Sequence, residues 1–329
     1  MDAAELDGPT AVDSLTTADV GKRGTIEPIV HALNQSEGQQ RNTPPVMAAA
    51  KKIAGEVETG DTVIILTGFS IPPAMSPETD GPPGAVSLSR SIDAGLGGNV
   101  ILATDPNAVE ICKATARAGG LSVSDRDTAF KSGRTVSVEP FPTDVAAARS
   151  YADELLSYDP AAIIAVEKAG PNAKGRYHNM TGKDISAVSS KVGPLYEHVD
   201  SCLTVAVGDG GNEVGMGTIE TAVRSEVEYG DRCNCDCGSG IACTIETDVL
   251  VPAAVSNWGA HGIVTCLSLL LDTPLLHEPE IERRMLVEAS LSGAIDGIGG
   301  GTSGPCDGLP ISVHESMVQL LNELSESDR

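Results

Sequence analysis

Residues 203–217 read LTVAVGDGGNEVGMG, and this stretch decides the fold class that the sequence predicts. The apolar run 203–207 predicts a buried strand, and a helix-like stretch begins at Thr218. A strand, a glycine loop and a helix in this order are typical of an anion-binding loop. Backbone N–H groups and a helix N-terminus then face a phosphate.

The acidic residues of this loop change that interpretation. Asp209 and Glu213 repel a bare anion, whereas carboxylate oxygens and the amide of Asn212 are ligands that Mg²⁺ and Mn²⁺ prefer. In the simplest alternative, Asp209 only caps the following helix and Glu213 is solvated. Five glycines are costly to order unless a ligand needs close approach to the backbone, so we favour a bound divalent cation.

Strands and helices are predicted to alternate along the chain. Six apolar runs without polar alternation predict strands that are covered on both faces, at residues 62–66, 100–103, 135–138, 161–166, 203–207 and 249–255. Helical spacing predicts helices at 46–58, 107–118, 144–157, 260–271, 280–291 and 313–324, the third of them capped by Thr143. This order predicts an α/β fold with a mostly parallel, doubly wound sheet flanked by helices.

Polar side chains follow these strands and are expected to converge, because open parallel sheets bind ligands at the carboxyl ends of their strands. The residues concerned are Glu78, Asp80, Glu167, Asp209, Asn212 and Glu213. Glu167 ends an apolar strand and needs a partner there, for which Lys168, Arg176 or a metal are the candidates. The long loop 69–84 is typical of a functional loop, although an exposed turn fits its Asp-Gly and Pro-Pro pairs equally well.

The composition excludes some classes of partner. The chain has 329 residues, 22 basic against 46 acidic, and 3% aromatic residues, so it is expected to repel nucleic acid and anionic membranes. The acidic excess is typical of adaptation to a salty cytoplasm, and no signal peptide or membrane span is recognisable. We predict a cytoplasmic protein with a mobile acidic tail at 1–20 and an α/β domain at 21–329, two lobes and a homo-oligomer being left open.

Histidines and cysteines suggest few metal sites. His261, His277 and His314 show no metal-ligand spacing and are expected to be structural. Cys233, Cys235 and Cys237, with Cys243 nearby, form a group that could bind zinc or form a labile disulfide. C-x-C-x-C is not the usual zinc spacing, and we favour a surface insertion bounded by Gly and Ser.

Several motifs occur together in a pattern that resembles one known family. The chain lacks the order of a Ser/His/Asp triad, a Walker A pattern and GxGxxG. Instead, it carries ETDGPPGA at 78–85, EKAG at 167–170 with YHN at 177–179, the glycine loop, VSNWG at 255–259, and DGLP at 307–310 with His314. In this order and combination they resemble the D-glutamate cyclase family over most of the chain. Animal members of that family look like longer chains, which carry this module at their C-terminal end.

The resemblance implies a lyase that converts D-glutamate, a small acidic metabolite, to 5-oxo-D-proline and water with the help of Mg²⁺ or Mn²⁺. A cation polarises the γ-carboxylate, a base deprotonates the amine, and the site folds the substrate for attack. The roles we predict are metal binding by Asp80, Asp209 and Glu213 with Glu78 and Asn212 in support, catalysis by Glu167 as base and Asn179, and substrate binding by Arg176, Gly210, Gly211, Ser256 and Asn257.

Two other functions stay open at this point. Carboxylates grouped at strand ends also suit a divalent-metal-dependent phosphoesterase that acts on a small phosphorylated metabolite. A protein that binds an acidic metabolite without turning it over is the third reading.

Overall fold

A parallel sheet lies at the centre of the computed structural model, which describes residues 4–36, 43–197, 199, 202–302 and 304–326. The strands are β1 (Thr62–Gly68), β2 (Ser70–Ile71), β3 (Ser76–Pro77), β4 (Asn99–Thr104), β5 (Ser122–Ser124), β6 (Thr135–Pro140), β7 (Ala162–Lys168), β8 (Leu203–Gly208) and β9 (Val249–Pro252). Seven of them form the sheet in the order β5-β6-β4-β1-β7-β8-β9, with all neighbours parallel. The strands β2 and β3 form a separate antiparallel pair.

Helices cover both faces of the sheet. They are α1 (Ala4–Thr16), α2 (Ile26–Ser36), α3 (Pro45–Glu56), α4 (Pro82–Ser91), α5 (Val109–Ala118), α6 (Arg126–Ala129), α7 (Val145–Leu156), α8 (Gly193–Glu197), α9 (Glu220–Glu226), α10 (Ser256–Leu271), α11 (Pro279–Leu291) and α12 (Ile311–Glu326). No helix within the described ranges is long and apolar enough to cross a membrane.

The central strand β1 shows why both faces need cover. Successive side chains of a strand point to opposite faces, so Val63 and Ile65 pack in one hydrophobic cluster, which includes residues of α3, α4 and α10. Ile64 and Leu66 pack in the other cluster, which includes residues of α2 and α7. This strand, whose centre is an unbroken apolar run, is therefore buried on both sides, as the sequence pattern predicted.

The predicted fold class is confirmed, and each of the six predicted strands lies in the sheet. The N-cap of α7 is corrected, because Asp144 rather than Thr143 accepts the hydrogen bond from the Ala147 N–H (2.9 Å). The sequence analysis missed α4, since Pro82 and Pro83 were interpreted as turn residues. Proline is well suited to the first turn of a helix, where its missing N–H has no intrahelical partner.

The N-terminal segment is also corrected. Residues 4–20 do not form the predicted mobile tail: α1 is a helix whose Val12 and Thr16 are fully buried, and it packs against α10 and α12. The Thr16 carbonyl accepts a hydrogen bond from the Ala254 N–H (2.8 Å), which ties the end of α1 to the loop after β9. The segment has a short apolar face formed by Val12 and Leu15, which was not recognised in the sequence because most of its neighbours are acidic or polar. Residues 1–3 lie outside the described residues, and a division into two lobes stays untested.

Candidate active site

A pocket of about 710 Å³ opens at the carboxyl ends of β7 and β8, at the edge of the sheet where the sequence placed the site. Its polar lining is mostly acidic or amide, and consists of Arg23, Glu78, Glu167, Asn179, Thr181, Asp209, Asn212, Glu226, Glu228 and Asp307. Phe69, Ile71, Met180 and Ile298 add apolar surface. The pocket is thus shaped for a small polar ligand with a short apolar part.

Three carboxylates meet at this pocket, two of which, Glu167 and Asp209, line it. Asp80, Glu167 and Asp209 each offer an oxygen within 4.8 Å of the other two, and all three residues are buried. They come from different parts of the sheet edge: Asp80 precedes α4, Glu167 lies at the end of β7, and Asp209 follows β8. Three buried carboxylates at this separation repel one another unless they keep protons or share a cation.

A β-bulge at the end of β7 presents Glu167. Thr67 pairs with Val166 and Gly68 pairs with Lys168, so Glu167 has no partner on β1, and its φ is +45°. A glutamate held with positive φ costs free energy and marks a constrained position. The loop that carries Asp80 can approach it because Gly81 (φ +98°) has no side chain; a Cβ there would lie 2.6 Å from Thr67 Oγ1.

Asp80 is held by the N-terminus of α10. Its carboxylate accepts hydrogen bonds from the N–H groups of Ser256 and Asn257, each at 2.8 Å, and such a position favours negative charge. The Ser256 hydroxyl donates to Glu167 Oε2 (2.6 Å), and Asn257 Oδ1 accepts from the Gly81 and Gly84 N–H groups. Ser256 and Asn257 therefore position the acids and their loop, and their hydrogen bonds do not show the contact with substrate that we predicted.

The N–H groups of the glycine loop bind an acidic side chain, and that side chain is the loop's own Glu213. Glu213 Oε1 accepts a hydrogen bond from the Gly210 N–H (2.9 Å), and Oε2 accepts one from the Gly211 N–H (2.8 Å). This arrangement corrects two predictions: Gly210 and Gly211 do not offer these N–H groups to a substrate, and Glu213 faces the loop instead of joining the three-carboxylate group. Asp209, at the start of the loop, is the acid that the loop delivers to the pocket.

Two asparagines line the pocket, and they differ in whether their side-chain oxygen already accepts hydrogen bonds. Asn212 Nδ2 donates to the His178 carbonyl (2.8 Å), while Asn212 Oδ1 is buried without a hydrogen-bond partner among the described residues. Asn179 Oδ1 accepts from the Thr181 N–H, the Thr181 hydroxyl and the Lys183 N–H, and so holds its own turn together. Asn212 is therefore the better placed of the two to serve a ligand, and the catalytic role of Asn179 stays a prediction.

The arginine of the pocket is Arg23 and not Arg176. Arg23 Nη1 lies 2.6 Å from Asp209 Oδ2 and 2.6 Å from Asp307 Oδ2. Arg176 is half exposed, pairs with Asp184 at 3.3 Å, and does not line the pocket, so its predicted role is corrected. Arg23 and Asp307 were missed, although Arg23 belongs to the first basic pair of an acidic segment, between two glycines. Asp307 lies in a motif that was quoted but given no role.

Lys168 does not serve Glu167 either. Its ammonium group is fully buried and pairs with Asp105, and it also donates to the Gly68 carbonyl (3.2 Å). Asp105 in turn accepts from both the N–H and the hydroxyl of Ser190. Of the three partners that the sequence suggested for Glu167, Lys168 and Arg176 pair with other acids, and the metal stays a prediction. The side-chain partner that Glu167 does have is the Ser256 hydroxyl.

Burial and mutual repulsion disturb the acids of the pocket. Burial, together with the charge of Asp209, raises the pKa of Asp80 to about 7 and that of Glu213 to about 8. The pKa values of Glu78, Glu167 and Asp307 are raised well above their usual ranges, again by burial first and then by neighbouring carboxylates. Arg23 contributes one positive charge against these groups, and Asp209 in turn raises the pKa of its guanidinium.

The donors present fit a divalent cation. Carboxylate oxygens of Asp80, Glu167 and Asp209, with the unpartnered Oδ1 of Asn212 nearby at the pocket wall, form an all-oxygen set. Such hard donors suit Mg²⁺ or Mn²⁺ better than zinc or copper. A cation here also relieves the repulsion that raises the pKa values of the acids.

Comparison with known proteins found one family model and one curated relative that match this chain. The sequence model of a family described as D-glutamate cyclase-like, C-terminal, matches residues 12–322. The human protein D-glutamate cyclase, mitochondrial, is 30% identical over 218 residues, which are 64% of this chain and 33% of the human protein. The aligned part therefore spans about a third of that relative. The range matched by the family model begins before Arg23 and ends after Asp307, so it contains every residue that lines the pocket.

Proposed function

Because this chain belongs to the D-glutamate cyclase-like family, we propose that it is a lyase that cyclises D-glutamate to 5-oxo-D-proline with loss of water. The observation that carries the proposal is the convergence of Asp80, Glu167 and Asp209 in a buried group at the pocket. The human relative bears the name of this activity, and it shares sequence with 64% of the chain. The fold alone would not distinguish this function from many others.

The reaction faces two barriers at neutral pH. The γ-carboxylate of glutamate is a poor electrophile, and its amine is protonated and cannot attack. A bound Mg²⁺ or Mn²⁺ supplies Lewis acidity to the carboxylate and charge balance to the acids that hold it. The protein must then remove a proton from the ammonium group, fold the substrate so that N reaches Cδ, and give a proton to the oxygen that leaves as water.

Glu167 is the residue we assign to proton removal. A general base works best when its pKa lies near the working pH, and the pKa of Glu167 is raised above its usual range by burial and neighbouring carboxylates. The bulge directs it to the pocket, and the Ser256 hydroxyl fixes the orientation of its carboxylate. Glu167 takes the first ammonium proton, which frees the nitrogen lone pair to attack Cδ and form the C–N bond. The nitrogen then loses a second proton as the C–O bond of the γ-carboxylate breaks, and the departing oxygen takes up two protons to leave as water.

Glu78 and Arg23 complete the assignment. Glu78 lines the pocket and its pKa is raised by burial, so it can hold one of the two protons that the departing oxygen requires. A dicarboxylate substrate would be repelled by the acids alone, and the Arg23 guanidinium at the pocket wall offers it a positive partner. The site thus combines acidic groups for a cation and for proton transfer with one cationic group for an acidic substrate.

A turnover assay tests this proposal. The purified protein is dialysed free of Mg²⁺ and Mn²⁺ in high salt, and 5-oxoproline is measured after addition of D- or L-glutamate with and without each ion. We expect formation from D-glutamate that depends on the ion. Asp209→Asn should lower kcat/KM by more than the about 10–100-fold typical of groups that only support metal ligands.

The matched control is Asp184→Asn, which changes the same residue type in the Arg176 pair outside the pocket. It should keep normal turnover. An Asp209→Asn protein with full activity and full ion content contradicts the assignment of the pocket acids.

A phosphoesterase is the second candidate, because three carboxylates within 4.8 Å also suit cations that clamp a phosphate. Ion-dependent release of phosphate from p-nitrophenyl phosphate, without turnover of D-glutamate, would select it. Stabilisation of the protein by D-glutamate without turnover of either compound would instead select a binding protein.

A further inference from the structure

A second group of ligand side chains lies in the loops that follow β7 and α9, next to the pocket wall. His178, Cys233, Cys235 and Cys237 each offer an atom within 4.8 Å of the other three. His178 Nε2 lies 3.2 Å from Cys235 Sγ and 3.6 Å from Cys237 Sγ, and Cys233 Sγ lies 3.3 Å from each of these sulfurs. His178 and Cys233 are buried, and the other two are half-buried.

These separations of 3.2–3.6 Å are close to those of ligands around one ion. A tetrahedral zinc ion with Zn–S bonds of about 2.3 Å and a Zn–N bond of about 2.1 Å holds its ligand atoms roughly 3.6–3.8 Å apart. A disulfide needs an S–S distance of about 2.05 Å, well below the 3.3 Å found here, and it has no use for an imidazole. We propose that His178, Cys233, Cys235 and Cys237 bind a zinc ion through four protein ligands.

The fourth member of this group is not the residue that the sequence suggested. The thiol considered beside the C-x-C-x-C group was Cys243, which is fully buried away from it, against Gly170, and accepts the Ile245 N–H at 3.3 Å. The chain instead brings His178 from the loop after β7, far away in sequence. Three thiolates and one imidazole form a complete set for structural zinc.

Neighbouring hydrogen bonds hold the two loops in register around this group. The Asn172 amide lies 3.5 Å from Cys237 Sγ as a donor and also donates to the Gly240 carbonyl (2.7 Å). Asn234 donates through its N–H to the Gly182 carbonyl (2.8 Å) and through Nδ2 to the Thr181 carbonyl (2.7 Å). Outer contacts of this kind orient metal ligands and are part of a built site.

The position of the site gives the ion a defined task. The His178 carbonyl accepts from Asn212 Nδ2, and the residues directly after His178, namely Asn179, Met180 and Thr181, line the pocket. Four protein ligands leave no open position for a substrate or water, so the ion is structural and not catalytic. It stabilises the pocket wall by joining the loop after β7 to the loop after α9.

Metal analysis tests this inference without reference to activity. The protein is purified under reducing conditions, supplied with Zn²⁺ and dialysed, and its zinc is measured by mass spectrometry. We expect about one zinc ion per chain, and almost none in Cys235→Ser. Cys202→Ser is the matched control, because it removes a partly exposed thiol outside the group and should keep the zinc. Asp209→Asn should also keep it, which separates this ion from the cation of the pocket.

Cobalt gives a second readout that needs no variant. Co²⁺ bound to the unmodified protein should give the visible bands of tetrahedral thiolate coordination, and Zn²⁺ should abolish them. Absence of both zinc and these bands in reduced, folded protein overturns the proposal. The proposal is also overturned if the native protein forms a disulfide within 233–237 and does not bind zinc after that disulfide has been reduced. Failure of the D-glutamate assay would leave these results unchanged.

Discussion

Two groups of buried ionisable side chains in this protein differ in how their charge is balanced. The pocket acids have Arg23 as their contacting cation, and the pKa values of Glu78, Asp80 and Glu167 are raised. Between α10 and α11, by contrast, Glu282 Oε2 lies 2.8 Å from His277 Nε2 and 3.2 Å from His261 Nε2. Burial acts to raise the pKa of Glu282, but the two imidazoles outweigh it and hold that pKa below its usual range.

The difference separates a structural cluster from a functional one. In the histidine–glutamate group, two imidazoles lie against the one acid, and their contacts join α10 to α11. The pocket acids gather more negative charge than the protein around them neutralises, which is costly unless a ligand supplies the balance. Burial alone is common to both groups, and the sign of the pKa shift of the acid is what distinguishes them.

The largest effect is expected from Glu167→Gln. It removes the proposed base while it relieves repulsion among the pocket acids, so turnover of D-glutamate should fall by about 10²–10⁴-fold with no loss of stability. Turnover and urea denaturation are measured on the same preparation. Glu110→Gln, in an exposed pair with Lys113, is the control for the substitution and should behave like the unmodified protein. Loss of stability together with activity would place Glu167 in the structural class.

The converse change is Glu282→Gln. It removes the acid of the balanced group and leaves His261 and His277 without their charged partner, so the free energy of unfolding should fall by about 3 kcal/mol. Turnover per folded molecule should stay normal, because the group lies outside the pocket lining. Glu78→Gln is the paired measurement in the pocket and should not lower stability. Equal destabilisation by both changes would remove the distinction between the two groups.

Much of the fold was predictable because β1, β7 and β8 are mostly apolar and buried at every position, and a strand buried on both faces has few alternatives. The helix α1 was not, since its packing depends on where α10 and α12 lie, and local composition indicated only an acidic tail. A local sequence pattern predicts an element correctly when the element is completely buried. It fails when the residues that bury the element lie far away in the sequence.

The site was predictable to the extent that strand ends determine it. Asp80, Glu167 and Asp209 converge because parallel strands end at one edge, and no contact had to be known in advance. Arg23 was missed, since it reaches the pocket through a loop whose course the sequence does not state. The role of Glu213 depended on which way one side chain turns within the glycine loop.

A smaller effect, on stability against pH, tests the charge imbalance of the pocket directly. The pKa values of Asp80 and Glu213 are raised to about 7 and about 8, so the folded protein holds protons that the unfolded chain has released. Their contribution is therefore complete below the unfolded pKa values, near 4, and is lost as the pH rises through about 7–8. In protein dialysed free of Mg²⁺ and Mn²⁺, at constant high salt, Tm should fall between pH 5 and 8.5.

Addition of either ion should reduce that fall, because a cation replaces the protons as the partner of the carboxylates. Glu282 and His277 predict the opposite slope at lower pH. The pKa of His277 is lowered to about 4 by burial and that of Glu282 lies below its usual range, so both contributions are lost on acidification. We expect Tm to be highest between these two pH ranges. We also expect Mg²⁺ or Mn²⁺ to change Tm only in the alkaline range. If neither ion changes Tm in the alkaline range, the charge of the pocket acids is balanced by the protein itself.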